Sequence, residues 1–217
     1  MMEKKEYFSQ DTIEEKSGQM LERIKSLGLA HLDLKFVPQK AALLVLDAQK
    51  YFFSVDSHAF VPSVKAIIPN ILDLIEFFYL HNRPIYFSKH VNDHDNAGMM
   101  AVWWRELLKI DSDLSNFIQD IDISKGVVIQ KERYDAFWKT PLNELLKNAG
   151  VEQVVICGVM THLCCESTAR SAFIHDYKVF FTIDGTATYS EDLHTASLLT
   201  LSHGFAKTIL CKEIITE

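Results

Sequence analysis

Three side chains of this 217-residue sequence have the types needed to make and hold a sulfur nucleophile: Asp47, Lys131 and Cys164. A carboxylate can take a thiol proton, an ammonium can hold the pair and offset negative charge, and the freed sulfur attacks a carbonyl carbon. Each residue alone has a plainer explanation. An Asp at a strand end also caps helices, lysines such as Lys125, Lys131 and Lys139 are mostly solvated, and cysteines are mostly packing residues. Position sets these three apart: Asp47 ends the apolar run 41–46, Lys131 follows the run 127–130, and Cys164 comes shortly after 154–157 and Gly158. A helix starting near Thr161 or His162 puts Cys164 in its first turn, where unpaired N–H groups and the helix dipole favour a thiolate. A neighbouring ammonium would lower the thiol pKa further. Cys165 shares a helical face with Ala169, Ala172 and Phe173, and with Cys157 and Cys211 it is expected to pack.

The elements that must position these groups follow from periodicity. The uninterrupted apolar run 41–46 suits a strand covered on both faces, and further short, largely apolar strand candidates lie at 85–87, 127–130, 154–157, 179–183 and 208–210. Between the first two, Val64, Ile67, Ile68, Ile71, Leu74, Ile75 and Phe78 mark one face of a helix that Asn82-Arg83-Pro84 breaks. Further helical stretches lie near 99–109, 141–149, 162–174 and 191–203. This alternation implies right-handed βαβ units and an α/β fold, a three-layer α/β/α sandwich with a six-stranded, mostly parallel sheet. Ligands in such sheets bind beyond the carboxyl ends of the strands, the rim where all three chemical groups converge.

Residues 11–27 form a separate pattern. Asp11 and Glu14 have capping-box spacing, and Ile13, Ser17, Met20, Leu21, Ile24 and Leu27 recur at helical intervals up to Gly28. The expected organisation is an amphipathic helical arm over 1–35 and one catalytic domain over 36–217. An isolated helix this short is marginal in water, so its apolar face must pack on the body or on another subunit.

Composition narrows the function classes. With 48% hydrophobic and 24% charged residues the chain is an ordinary globular domain, long enough to bury roughly 70% of its unfolded surface without disulfides or a structural metal. Lys and Arg number 22 against 29 Asp and Glu, a net charge of −7, and no basic stripe with interleaved aromatics speaks for nucleic acid. The start MMEKKEYFSQ lacks an apolar signal core, and no stretch approaches the ~20 apolar residues of a membrane span. A cytoplasmic protein with reduced thiols and no membrane partner is expected.

Three ordered motifs give the chain a resemblance to a family. Leu43-Leu44-Val45-Leu46-Asp47-Ala48-Gln49 resembles the first strand and catalytic Asp of the isochorismatase-like cysteine hydrolases. Lys131-Glu132-Arg133-Tyr134-Asp135-Ala136-Phe137-Trp138 resembles the segment with their catalytic Lys, and 158–172 the segment with their nucleophile, at Cys164. The resemblance runs from about Phe36 to Leu210. It implies that Asp47 takes the Cys164 proton, that Lys131 holds the ion pair, and that a thioester forms and is hydrolysed. It also implies an oxyanion hole made by the backbone N–H groups of Met160 and Cys164, beside a cis peptide between Val159 and Met160. Phe52, Trp103, Trp104, Tyr134 and Phe137 are expected to wall an aromatic pocket for a small-molecule substrate. One Trp of the pair would face substrate and the other the core. The resemblance implies no cofactor and a homo-oligomer.

Two features bear on the substrate. Lys89-His90-Val91-Asn92-Asp93-His94-Asp95 lacks the Asp-x-His spacing with which nicotinamidases bind a metal, so no metal is expected and nicotinamide is not the first choice. Residues 36–44 and 158–162 look closest to isochorismatase proper, which cleaves a vinyl ether without a nucleophilic Cys. Cys164 favours hydrolysis of a C–N bond in an amide, carbamoyl or ureido compound, with vinyl-ether hydrolysis as the alternative. A receiver domain would need acidic neighbours at Asp47, where Ala48-Gln49 follows instead, and no GxGxxG or P-loop speaks for a nucleotide-binding module. A non-catalytic scaffold would have no use for the three groups.

Overall fold

The apolar runs become strands because helices shield them on both sides. The structure, a computed structural model, describes residues 3–31, 33–104 and 106–216. Strands β1 (Ala41–Leu46), β2 (Ile85–His90), β3 (Val127–Lys131), β4 (Gln153–Val159), β5 (Lys178–Ala187) and β6 (Lys207–Ile209) form one sheet in the order β3-β2-β1-β4-β5-β6. All five pairings are parallel, so the expected mostly parallel sheet is wholly parallel. Every residue of β1 and β4 is buried, whereas edge strand β3 leaves Val127 and Val128 exposed.

The helices are α1 (Ile13–Ser26), α2 (Lys50–Phe53), α3 (Val64–Leu80), α4 (Met99–Trp103), α5 (Leu142–Asn148), α6 (Glu166–Ile174), α7 (Glu191–Gly204) and α8 (Cys211–Ile215). The chain steps outward one way from β1 through β2 to β3 and the other way from β4 to β6. Right-handed crossovers therefore put α3 on one face of the sheet and α5, α6 and α7 on the other. The reversal falls between β1 and β4, whose adjacent carboxyl ends diverge into a crevice.

Gly158 lets these two central strands meet. Its φ is +114°, and a Cβ there would sit 2.1 Å from the carbonyl oxygen of Leu46. Only glycine fits a conformation and a contact of this kind.

The arm packs on the body of its own chain. Helix α1 buries Ile13, Ser17, Met20, Leu21 and Ile24, lies against β5 and α7, and carries exposed ion pairs from Lys16 to Glu191 and from Glu14 to Lys212. The expected capping box does not form. The helix begins after Thr12, whose hydroxyl accepts from the Ser9 N–H at 3.0 Å, so the entry turn is closed without Asp11. Leu27 is exposed because it follows the last turn, where Gly28 at φ +72° redirects the chain. Ahead of the helix, Tyr7 and Phe8 are buried in the same core as the sheet.

The helix expected over 99–109 shortens to α4. Trp104 takes an extended backbone (φ −106°, ψ 147°), which ends the helix and aims its indole N–H at the Tyr134 hydroxyl, 2.7 Å away.

Replacing Gly158 by Ala is expected to cost about 3 kcal/mol of unfolding free energy or to prevent folding. Urea titration checks this, and a cost under about 1 kcal/mol would contradict the close approach of β1 and β4.

Candidate active site

Asp47 sits at the end of β1 in the left-handed region (φ +50°), a conformation that Asp tolerates better than most residues. Its backbone N–H reaches the Ser88 hydroxyl at 3.1 Å, and that hydroxyl donates to Asp47 Oδ1 at 2.6 Å. Ser88 stands opposite Leu46 in the β1–β2 register. It is not among the residues singled out from the sequence, although as the first polar residue after the run 85–87 it stands where Asp47 stands after 41–46.

Lys131 ends β3, two strands away from β1, and its long stem crosses β2 to reach Asp47. The ammonium lies 2.8 Å from Asp47 Oδ2, 2.9 Å from the Arg133 carbonyl oxygen and 3.3 Å from Cys164 Sγ. Two of its N–H groups bond the carbonyl and the sulfur, and the carboxylate is its ion-pair partner. Burial opposes the charge on Lys131, but the Asp47 carboxylate and then the Cys164 sulfur outweigh it and leave the pKa raised. Both side chains of the pair are wholly excluded from solvent.

Cys164 belongs to a single π turn, Thr161–Cys165, that feeds directly into α6. The Leu163 and Cys165 N–H groups both bond back to the Met160 carbonyl, at 3.0 and 3.2 Å, and the Cys164 N–H lies between them. The peptide bond between Val159 and Met160 is cis. The expected thiolate is corrected here: burial pushes the Cys164 thiol well up, the Asp47 carboxylate adds to this, and Lys131 offsets it only in part. Asp47 and Lys131 already sum to zero charge, and a thiolate would leave a buried net negative charge. These charges favour a thiol at rest beside the carboxylate. Cys157, Cys165 and Cys211 are buried and free, with Cys211 opening α8 instead of ending β6.

Cys164 and Met160 form the floor of a cavity with an empty volume of about 520 Å³, part of it open to solvent. Phe52, Trp104 and Tyr134 line it, as do Tyr51, His58, His90, Asn92, Leu108, Leu163 and Tyr189. Two expected pocket residues are elsewhere. Trp103 is 73% exposed, neither on the cavity nor in the core, because α4 turns its outer face to solvent. Phe137 is buried against the rings of His175 and Tyr177, drawn inward with the Ala136 N–H bond to Thr168. His90 and Tyr189 were missed, although each closes or follows a strand, the position that had drawn attention to Asp47. The mouth carries a His58–Glu106 contact of 3.4 Å, and the Tyr51 hydroxyl lies 3.1 Å from the other ring nitrogen of His58.

The donor set does not suit a metal of the nicotinamidase type. His90 is kept neutral, its pKa lowered by burial to about 4, and its Nδ1 has no partner. Asn92 is committed to Asn96 and the Glu132 carbonyl, and Asp93 caps the N–H groups of Asp95 and Asn96. Among the described residues no three His, Cys, Asp or Glu side chains cluster as ligands.

A family model described as "Isochorismatase domain" matches residues 41–213. The chain belongs to the isochorismatase family. It is 38% identical over 182 residues to "Nicotinamidase 3" of Arabidopsis thaliana, covering 80% of this chain and 86% of that protein. It is 32% identical over 187 residues to "Enterobactin synthase component B" of Escherichia coli K12, covering 85% of this chain but only 65% of that one. Its fold matches a solved cysteine hydrolase from Pseudomonas syringae pv. phaseolicola with a TM-score of 0.81 at 24% identity, over 84% of this chain and 94% of the other. It also matches an N-carbamoylsarcosine amidase from Thermoplasma acidophilum with a TM-score of 0.71 at 23% identity, over 81% and 98%. As an isochorismatase-family protein the chain is a hydrolase. No described helix is long and apolar enough to cross a membrane.

A raised thiol pKa predicts how the native protein meets iodoacetamide. Cys164, the cysteine on the cavity wall, is expected to react before Cys157, Cys165 and Cys211. Because its pKa lies above the ordinary value, its thiolate fraction and rate should still climb about tenfold per pH unit from about pH 7 to pH 9. Peptide mapping across that range gives the rates, and a flat profile would instead reveal a preformed thiolate.

Proposed function

We propose that this hydrolase cleaves the C–N bond of a small amide, carbamoyl or ureido compound through a Cys164 thioester. The observation that carries the reading is the contiguous set Asp47, Lys131 and Cys164, with Lys131 Nζ 2.8 Å from the carboxylate and 3.3 Å from the sulfur that faces the cavity. As the substrate carbonyl approaches, Asp47 accepts the thiol proton while Sγ bonds to the carbonyl carbon. The electron pair displaced onto oxygen is met by the N–H groups of Met160 and Cys164. Collapse breaks the C–N bond, and the leaving amine takes the proton from Asp47. Water then gives a proton to Asp47 as it attacks the thioester, and the departing sulfur recovers it. Lys131 stays charged throughout and keeps the carboxylate in place.

The aromatic wall of Phe52, Trp104 and Tyr134 suits a compact planar substrate. Likeness to the Arabidopsis protein named Nicotinamidase 3 puts nicotinamide into the substrate screen despite the loop at 89–95. The second reading, vinyl-ether cleavage of isochorismate, draws on the identity with the Escherichia coli protein. Against it, the described residues on the wall include Glu106 and no Lys or Arg to meet a dicarboxylate. The same proposal places the enzyme in the cytoplasm as a homo-oligomer, with exposed Met99, Val102 and Trp103 as apolar surface for contact between copies.

One screen separates the readings, with ammonia measured from nicotinamide, carbamoyl and ureido compounds and pyruvate from isochorismate. Ammonia release is expected, reduced at least about a thousandfold by Cys164→Ala and retained by Cys165→Ala. Pyruvate release that survives Cys164→Ala would instead establish the vinyl-ether route.

A further inference from the structure

The π turn that carries Cys164 is held from behind by buried polar groups, and part of the brace comes from the N-terminal arm. Thr161, which follows Met160, places its hydroxyl 3.0 Å from His194 Nδ1. The next residue, His162, pairs its Nδ1 with the Thr188 hydroxyl at 2.6 Å. Tyr7 joins the two tethers. Its phenol oxygen accepts from the Thr188 backbone N–H at 3.0 Å. Its ring packs on His194 with centroids 5.2 Å apart. Tyr7, Thr161, Thr188 and His194 are all buried.

The Thr188 N–H donates to Tyr7, and a Thr161 O–H that donates to His194 Nδ1 needs a neutral imidazole. Burial keeps His194 neutral by lowering its pKa to about 3. The arm is pinned where it delivers Tyr7. The N–H groups of Tyr7 and Phe8 both donate to the Ser63 hydroxyl, and the Lys5 N–H donates to the carbonyl of Tyr189, a cavity residue. Lys4 adds bonds to the carbonyl oxygens of His58 and Phe60 and sits over the Tyr189 ring.

We propose that Tyr7 is a positioning residue that fixes the Met160–Cys164 turn through Thr188, the partner of His162, and through His194, the partner of Thr161, so that the arm is part of the catalytic scaffold. Tyr7 lies outside the residues 41–213 that match the family model, so this brace belongs to the chain's own N-terminal segment. The inference rests on Cys164 being the acyl-accepting nucleophile of the proposed function.

Two chemical probes separate positioning from general stability. 4-Nitrophenyl acetate acylates a thiol through a tetrahedral oxyanion: an S–C bond forms, the C–O bond to nitrophenolate breaks, and the thiol proton passes to a base. Iodoacetamide alkylates the same sulfur by direct displacement of iodide and develops no oxyanion. Tyr7→Phe, which keeps the ring and removes only the hydroxyl, is expected to slow Cys164 acylation about tenfold and leave its alkylation within about twofold. Thr161→Val removes the bond to His194, on which the Tyr7 ring packs, and is expected to slow acylation with the same selectivity. Unchanged acylation in Tyr7→Phe overturns the proposal, and so does an equal fall in both rates, which marks loosening of the whole fold. If the unsubstituted protein shows no acylation beyond that of Cys164→Ala, the thioester reading itself fails, and this inference with it.

Discussion

The ion pair between Asp47 and Lys131 constrains everything around it. Two charges removed from water cost several kcal/mol each, and their attraction offsets that only when the remaining hydrogen-bonding capacity is filled. Here the Ser88 hydroxyl donates to Asp47 Oδ1 on the carboxylate side, and Arg133 and Cys164 accept on the ammonium side, while Oδ2 has only the ammonium beside it. The pair joins strands that are not neighbours. Lys131 must reach past β2, which sets His90 opposite Lys131 and supplies Ser88 to bond Asp47. The strand order is therefore part of the site's electrostatics.

The pair also sets the state of the sulfur. With the carboxylate and the ammonium balanced, the cavity has no spare positive charge with which to ionise a thiol, and burial raises its pKa. A protonated sulfur beside an ionised carboxylate is poised to lose its proton when the substrate arrives and the developing charge can move onto the carbonyl oxygen. This differs from cysteines activated in advance by a helix terminus. The sulfur reaches the pair because β4 lies beside β1 at the reversal of strand order, where Gly158 allows the two backbones to close up.

Hydroxyl chemistry links the N-terminal arm to this centre. Tyr7, Thr161, Thr188 and His194 come from four separate segments, and each satisfies another's buried polar group. Unsatisfied, such groups would each carry a desolvation penalty, so the network favours one arrangement of the turn over its neighbours. A segment read from its periodicity as an accessory helix thus lies directly behind the nucleophile.

Local physics made much of this legible in the sequence. Apolar runs bounded by breakers gave all six strands, period-3.6 faces gave α1, α3, α6 and α7, and the residues following the strands pointed to Asp47, Lys131 and Cys164, which the fold brings into contact. The readings that needed correction depended on surroundings: Phe137 turned inward, Trp103 turned outward, the Asp11 cap was displaced by Ser9 and Thr12, and the thiol was held protonated. Ser88, His90, Tyr189 and Tyr7 acquire their places from partners 41 to 184 residues away in the chain. Periodicity and turn chemistry act over a few residues, so the sequence by itself determined the elements and the chemical groups at their ends. Burial, pKa and hydrogen-bond partnership depend on separation in space, and only the tertiary structure decided those.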